Sequence, residues 1–237
     1  MKKILLLHGW NYKNYTNLTD ETDAWHNRKD FVELLSKYYE IYKLNFPGFC
    51  GEAEPKKGWN LSDYATYVKN FLNNNELKVD YILGYSFGGA VAIEYNRLFD
   101  NNQKLILVSP AITRVKSKSK EYVKTPSFLK PLRDSLRDLY LIYIIKNNYM
   151  KYGTKFLRKS YQNIVRIELL NSVKKINPQK LLIIYGDNDK MVNPKYVISS
   201  LPDNFQNRIF VIKDGGHNIA QTNTSEVVNI IKSNCSD

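Results

Sequence analysis

A serine at position 86 lies in the pattern Gly-x-Ser-x-Gly, between an apolar segment and a segment with helical spacing. A serine hydroxyl is a weak nucleophile unless a neighbouring base activates it. A sharp turn from a strand into a helix would expose the hydroxyl, and glycines at positions 84 and 88 remove the Cβ atoms that would clash in such a turn. The pattern therefore predicts that Ser86 is a catalytic nucleophile.

The sequence offers three histidines as the base, namely His8, His26 and His217. His217 follows an apolar segment and two glycines, which suit a turn that projects its side chain over the ends of strands. His26 lies in a polar loop and is interpreted as a surface residue. We predict that His217 takes the proton from Ser86, the alternative being a histidine with a structural hydrogen bond.

An imidazole that acts as a base needs a carboxylate to hold its ring in place. Asp187 and Asp189 both follow the fifth apolar segment, and either could orient the ring of His217. An aspartate directly after a strand commonly caps a turn, and Asp187 is the better placed of the two for that use. The residues alone therefore predict that one of these two aspartates completes the site.

Six short apolar segments, separated by segments with helical spacing, should position these side chains. Their nearly continuous apolarity predicts strands that are buried on both faces of a parallel sheet. Strands that alternate with helices are typical of an α/β fold, with a mostly parallel sheet of about six strands flanked by helices. The predicted strands lie within residues 3–8, 40–46, 79–86, 104–109, 180–186 and 208–213.

The alternation of strands and helices stops after residue 110. Residues 111–178 show helical spacing, for example in the stretches 132–146 and 156–173, and no convincing strand. A chain of 237 residues is short for two independent domains of usual size. We therefore predict one core, formed by residues 1–110 and 179–237, with residues 111–178 inserted as a helical cap.

The composition excludes several classes of protein. Hydrophobic residues make up 43% and aromatic residues 13% of the chain, which excludes a disordered or low-complexity protein. No apolar run reaches the roughly 20 residues that span a bilayer, and the apolar start is too short for a signal peptide, so we expect a cytoplasmic protein. Cys50 and Cys235 are far apart and form no CxxC pair, so we expect no disulfide framework, metal site or cofactor.

The net charge of +12 is concentrated in the predicted cap. Residues 111–178 hold 16 of the 35 Lys and Arg but only 4 of the 23 Asp and Glu, so the rest of the chain has 19 of each sign. The simplest interpretation is that these Lys and Arg side chains lie on a helical face that is exposed to solvent. The alternative is a surface that steers anionic substrates, through residues such as Lys116, Lys118 and Lys120, or that makes weak contact with a membrane surface. No recognised nucleic-acid motif is present, so we expect no nucleic-acid partner.

Taken together, these motifs resemble the α/β-hydrolase superfamily over nearly the whole chain. The segment Leu7-His8-Gly9-Trp10 resembles the family's oxyanion loop, Pro47-Gly48-Phe49 the turn after its next strand, and residues 84–88 its nucleophile elbow. The chain order of serine, aspartate and histidine is also that of the family. The family's Gly-x-x-Asp pattern falls on residues 186–189 and thereby selects Asp189 over Asp187 as the acid.

The resemblance implies further site residues. The backbone N–H groups of Trp10 and Phe87 would form the oxyanion hole. The helical cap would close the site, with Tyr85, Tyr140 and Tyr143 as candidates for contact with the substrate. The loop formed by residues 11–27 is long for a connection between a strand and a helix and is expected to border the pocket. Apolar cap residues could equally serve only to pack the cap on the core.

The sequence also departs from the family pattern. The leading antiparallel pair of strands is missing, Asn45 stands where many relatives have Asp, and Cys50 stands where glycine is common. The absence of an HGGG stretch argues against the lipase-like group that uses it. Serine as the nucleophile argues against dehalogenase and epoxide hydrolase chemistry, which use aspartate.

The expected function is that of a serine hydrolase that cleaves an ester or thioester of a small to medium acyl substrate, either neutral or anionic, through an acyl-enzyme. Two alternatives remain open at this point, because a fold does not determine a reaction. The same fold and triad could perform lyase or carbon–carbon bond hydrolase chemistry. The chain could also be a noncatalytic relative that binds a ligand.

Overall fold

The computed structural model describes residues 1–99, 102–113 and 140–235. Their six strands form one fully parallel sheet in the order β2-β1-β3-β4-β5-β6. The α/β fold with a six-stranded parallel sheet is therefore confirmed, and each strand lies inside a predicted apolar segment. The strands are β1 Lys3–Leu7, β2 Glu40–Leu44, β3 Tyr81–Tyr85, β4 Lys104–Val108, β5 Leu181–Gly186 and β6 Ile209–Ile212.

Helices flank the sheet on both faces. Alternate side chains of a strand point to opposite faces, so Leu5 and Leu7 of β1 pack with α2 and α3, whereas Ile4 and Leu6 pack with α1 and α9. The described α-helices are α1 Lys29–Ser36, α2 Leu61–Asn74, α3 Phe87–Phe99, α4 Asn148–Tyr152, α5 Lys155–Ile164, α6 Leu170–Val173, α7 Pro194–Ser200, α8 Ile219–Thr222 and α9 Thr224–Asn234. Burial on both faces explains why the strand segments are almost continuously apolar.

The described part of the predicted cap is helical. It contains a π-helical turn, Tyr140–Ile144, followed by α4, α5 and α6. The prediction of one continuous helical stretch over residues 156–173 is wrong, because α5 ends at Ile164 and α6 begins at Leu170. The β-branched residues that follow α5 weaken the helix, and the Leu169 N–H donates to the carbonyl of Ile112 instead of continuing it.

Aromatic contacts join this helical segment to the core. Tyr161 of α5 packs on Trp10 with ring centroids 5.8 Å apart, and Phe156 packs on Trp59 at 6.0 Å. The three lysines 116, 118 and 120 and the first part of the predicted helix 132–146 lie outside the described residues. Among the described residues, no helix combines the length and the apolarity needed to cross a membrane.

Candidate active site

Ser86 occupies the sharp turn between β3 and α3. Its φ angle is +52°, a left-handed conformation that is uncommon for a residue with a side chain. Hydrogen bonds from both sides hold this strained backbone: the Ser86 N–H donates to the carbonyl of Val108 over 2.9 Å, and its carbonyl accepts from Gly89 over 3.0 Å and from Ala111 over 3.1 Å. Strain of this kind persists where the surrounding structure enforces it, and it is often found at functional sites.

Glycine at position 88 allows the turn to pack against the sheet. A Cβ atom at Gly88 would overlap the carbonyl group of Leu7, the last residue of β1, and one at Gly84 would overlap the carbonyl of Gly88. The start of α3 therefore lies directly against the ends of β1 and β3. This close packing is the physical reason for the two glycines that flank Ser86 in the sequence.

Parallel strands end at the same edge of the sheet, and this edge brings the three predicted side chains together. Asp189 follows β5 and His217 follows β6, while Ser86 follows β3. His217 Nε2 lies 2.9 Å from Ser86 Oγ, and His217 Nδ1 lies 2.7 Å from Asp189 Oδ2. The Asp189 side chain is fully buried, whereas that of His217 is 10% exposed. The imidazole thus lies between the carboxylate and the hydroxyl.

The hydrogen bonds of Asp189 determine which imidazole nitrogen carries the proton. Its Oδ1 accepts the backbone N–H groups of Met191 and Val192 over 2.8 and 3.2 Å. An ionised carboxylate can only accept, so His217 Nδ1 must donate to Oδ2, which leaves Nε2 free to accept from the hydroxyl of Ser86. Asp187, the other candidate from the sequence, is exposed, and its backbone N–H bonds to Ile212.

The two predicted oxyanion-hole residues flank Ser86. Phe87 is the first residue of α3, where N–H groups have no partner inside the helix, and Trp10 lies in the loop after β1. Neither N–H donates to a backbone carbonyl in the described turns and loops. The ring of Trp10 packs edge-on against Phe87 at 5.1 Å, and its Nε1 donates to the hydroxyl of Tyr15, so the loop is held in place.

The ring of His8 holds the loop after β1, and its two hydrogen bonds go to backbone groups and not to Ser86. Its Nδ1 lies 2.9 Å from the carbonyl of Gly9, and its Nε2 accepts the N–H of Phe46 over 3.0 Å, so the neutral ring joins the ends of β1 and β2. Complete burial is the main cause that lowers the pKa of His8 to about 4.

We expect this buried histidine to make stability depend on pH. The unfolded chain binds a proton at His8 near pH 6.5, whereas the folded chain binds it only near pH 4. The contribution of neutral His8 to the free energy of unfolding is therefore complete above pH 6.5. It falls by up to about 3 kcal/mol as the pH is lowered towards 4. The measurement is urea unfolding of the wild type and of His8→Gln between pH 4 and 8. A difference between the two proteins that stays constant over this range would contradict the assignment.

A pocket of about 340 Å³ opens at Ser86 and His217. The loop formed by residues 11–27 borders it, as the sequence predicts, and so does Tyr85. Tyr140 and Tyr143 do not line it; they are 53% and 69% exposed, so the pocket gives no support to their predicted contact with the substrate. The pocket is lined by Gly9, Trp10, Asn11, Lys13, Asn27, Arg28, Tyr85, Ser86, Tyr149, Met191, His217, Asn218 and Gln221.

A second, apolar cavity of about 20 Å³ lies on the other side of Trp10 and Phe87, beneath α5. Tyr161 of α5 lines this cavity. Its lining is otherwise aliphatic or small, namely Leu61, Ala90, Ala111, Ile164, Ile167 and Leu169. In the part of the chain that the structure describes, no three His, Cys, Asp or Glu side chains form a group that could hold a metal ion.

Arg28 and Asn218 also line the pocket, and neither is predicted from the sequence. Arg28 lies at the start of α1 and Asn218 directly after His217, and both hold the ring of Tyr85. The Arg28 guanidinium lies 4.1 Å from the centre of this ring, while the Tyr85 hydroxyl donates to Asn218 Oδ1 over 2.7 Å. The signal in the sequence is the unusual length of the loop formed by residues 11–27, which directly precedes Arg28.

Comparison with known proteins agrees with this architecture. A Mycoplasma genitalium protein named "Putative esterase/lipase 2" is 26% identical, covering 79% of this chain and 75% of its own. The structure resembles that of an esterase from Exiguobacterium antarcticum, with a TM-score of 0.66, 16% identity, and coverage of 100% of this chain and 92% of the esterase. A meta-cleavage product hydrolase from Pseudomonas fluorescens IP01 has a TM-score of 0.61 at 18% identity, with coverage of 98% of this chain and 91% of that one.

These structural neighbours have low sequence identity and show the shared fold. The family assignment rests on the match between the sequence and a model of the alpha/beta hydrolase family, which extends over residues 4–230. The matched range includes the strands, the turn at Ser86 and the loops that carry Asp189 and His217. The chain therefore belongs to the alpha/beta hydrolase family.

Proposed function

We propose that the chain is a serine hydrolase that cleaves an ester or thioester of a small to medium acyl substrate, with Ser86, His217 and Asp189 as its catalytic triad. The observation that carries this proposal is the pair of short contacts on His217, 2.9 Å to Ser86 Oγ and 2.7 Å to Asp189 Oδ2, beside an open pocket. A nucleophile within hydrogen-bond distance of a base, itself oriented by an acid, is the arrangement that acyl transfer requires.

In the first half of the reaction, Ser86 Oγ attacks the carbonyl carbon of the substrate. His217 Nε2 takes the hydroxyl proton as the new C–O bond forms, and the carbonyl oxygen becomes an oxyanion. The imidazolium then donates this proton to the leaving alcohol or thiol as the bond to the leaving group breaks. The products of this half are the free alcohol or thiol and an acyl ester on Ser86.

In the second half, water replaces the leaving group. His217 Nε2 takes a proton from the water as its oxygen attacks the acyl carbon, and the imidazolium returns the proton to Ser86 Oγ as the acyl bond breaks. The carboxylic acid leaves and the enzyme is regenerated. Asp189 remains ionised throughout, stabilising the imidazolium and fixing its orientation.

The oxyanion that forms twice in this sequence needs hydrogen-bond donors. The backbone N–H groups of Trp10 and Phe87 are the donors we assign, because they flank Ser86 and make no backbone hydrogen bond in the described turns and loops. The N-terminus of α3, which begins at Phe87, adds a favourable dipole. Loss of one such donor typically lowers turnover by about 10²- to 10³-fold.

The pocket and the curated relatives support the choice of substrate class. A volume of about 340 Å³ is at the lower end of the roughly 300–1,000 Å³ common for small-molecule pockets, which favours a short substrate. The Mycoplasma relatives carry a name that denotes an esterase or lipase. The name of the relatives does not depend on the geometry of the site, so it supports the proposal independently.

The test is a panel of p-nitrophenyl esters and acyl thioesters with chains of two to twelve carbons. We expect turnover that is fastest for the short chains, and a burst of product equal to the enzyme concentration when deacylation is the slower half. A folded protein that turns over no member of the panel would contradict the proposal. Cleavage of a carbon–carbon bond in a β-diketone by the same protein would then favour the alternative reaction of the fold.

A further inference from the structure

Among the described residues that line the pocket of Ser86, the charged side chains are all positive. Arg28 and Lys13 both line it, and no Asp or Glu is present among the described residues that do so. Four side-chain amides, those of Asn11, Asn27, Asn218 and Gln221, add further polar groups. Pockets for small molecules are usually lined mainly by apolar and aromatic side chains. This pocket is therefore suited to a ligand that carries negative charge.

The guanidinium of Arg28 is held in place without an anionic partner. It stacks on the ring of Tyr85 at 4.1 Å, and its Nη2 donates to Asn218 Oδ1 over 3.2 Å. Within residues 1–99, 102–113 and 140–235, no carboxylate lies within ion-pair distance of Arg28 or Lys13. Arginine has five N–H donors. The hydrogen bond to Asn218 leaves other Nη hydrogens available to a ligand.

The position of Arg28 does not benefit the helix that it precedes. Arg28 is the N-cap residue of α1, and its side chain makes no capping hydrogen bond. The N-cap position favours Ser, Thr, Asp or Asn, and a positive charge at this end of a helix opposes the helix dipole. We therefore attribute the role of the Arg28 side chain to the pocket and not to the stability of α1.

We propose that the substrate of Ser86 carries a carboxylate or phosphate group, which Arg28 binds through its Nη hydrogens with Lys13 as a second positive charge. This inference rests on the proposed hydrolase function and specifies its substrate class. Arginine suits such a group because its planar donors match two oxygens at once. The ester or thioester carbonyl reaches Ser86 while the anionic group remains in the same pocket of about 340 Å³, so the substrate is a short one.

The kinetic test uses three methyl esters of the same length. Monomethyl succinate carries a carboxylate, methyl 3-phosphonopropanoate carries a phosphonate that represents phosphate, and methyl succinamate is the neutral counterpart. We expect kcat/KM for at least one of the anionic esters to exceed that for the neutral ester by about 10- to 100-fold. The preferred anion distinguishes a carboxylate substrate from a phosphate substrate.

Arg28→Gln separates anion binding from a merely structural role. We expect this variant to lower kcat/KM for the anionic ester at least about 10-fold more than that for methyl succinamate, since the neutral ester does not use the charge. Arg28→Lys should restore part of the preference. Lys78→Gln removes the same net charge next to the opposite edge of the sheet, before β3, and should leave the preference unchanged. Equal loss of activity on the charged and neutral esters would overturn the proposal.

A binding measurement keeps this inference separate from the proposed function. Ser86→Ala is titrated with succinate, 3-phosphonopropanoate and neutral succinamide by ligand-observed NMR. We expect one of the two anions to bind at least about 10-fold more tightly than succinamide, and Arg28→Gln in the same background to remove the difference. Equal binding of all three would overturn the anion site, even if esters are hydrolysed. Anion binding without turnover of any ester would leave the anion site intact and contradict the hydrolase function.

Discussion

Ser86→Ala and His217→Ala are each expected to lower kcat on a p-nitrophenyl ester by ~10⁴- to 10⁶-fold, and the double variant to lower it little further. The two side chains perform one proton transfer together, as the 2.9 Å contact between Oγ and Nε2 requires. Once either is absent, the other has no proton to move. Steady-state kinetics of the two single variants and the double variant measure this non-additivity.

The control for Ser86→Ala is Ser199→Ala, at an exposed serine in α7. We expect this variant to keep the activity of the wild type. Multiplicative effects of Ser86→Ala and His217→Ala in the double variant would indicate that the two residues act independently. Turnover by Ser86→Ala close to that of the wild type would contradict the role of Ser86 altogether.

Asp189→Asn is expected to lower kcat by ~10⁴-fold, because an amide in this place favours the wrong imidazole tautomer. The Asp189 carboxylate accepts from His217 Nδ1 and so leaves Nε2 unprotonated. The NH₂ group of the substituted amide would instead donate to Nδ1, which moves the ring proton to Nε2 and prevents it from accepting the serine proton. Kinetics at saturating ester, measured between pH 5 and 9, test this expectation.

Asp187→Asn is the matched control, since Asp187 precedes Asp189 by two residues and is exposed. We expect its kcat to remain within about threefold of the wild type, as is usual for a surface change of small energetic effect. Urea unfolding of both variants shows whether the loop after β5 remains folded, since Asp189 also accepts two backbone N–H groups. Equal kinetic effects of the two substitutions would contradict the choice of Asp189.

The strands and the turn at Ser86 could be predicted because local sequence determines them. Residues of β3 are buried on both faces of the sheet, so burial is visible as unbroken apolarity over residues 81–85. The turn at Ser86 requires small residues where α3 packs on Leu7, and this requirement is visible as two glycines. Parallel strands end at one edge, so the meeting of Ser86 with His217 follows from the order of elements.

The pocket and the cap could not be predicted in the same way, because they depend on contacts between distant segments. Arg28 reaches the site by stacking on Tyr85, 57 positions further along the chain, and nothing near Arg28 in the sequence indicates this contact. The break between α5 and α6 depends on a hydrogen bond from Leu169 to Ile112. Only their residue type indicates Tyr140 and Tyr143 as pocket residues, and their exposure depends on how the segment folds.

The proposed function requires the hydroxyl of Ser86 to be an activated nucleophile. The most direct measurement is treatment of the native protein with a fluorophosphonate, followed by mass spectrometry of its peptides. We expect one phosphonyl group per chain, located on Ser86, and no labelling of Ser86→Ala or of protein unfolded in urea. Failure of the folded wild type to react, or labelling of a different residue while Ser86 remains unmodified, would contradict it.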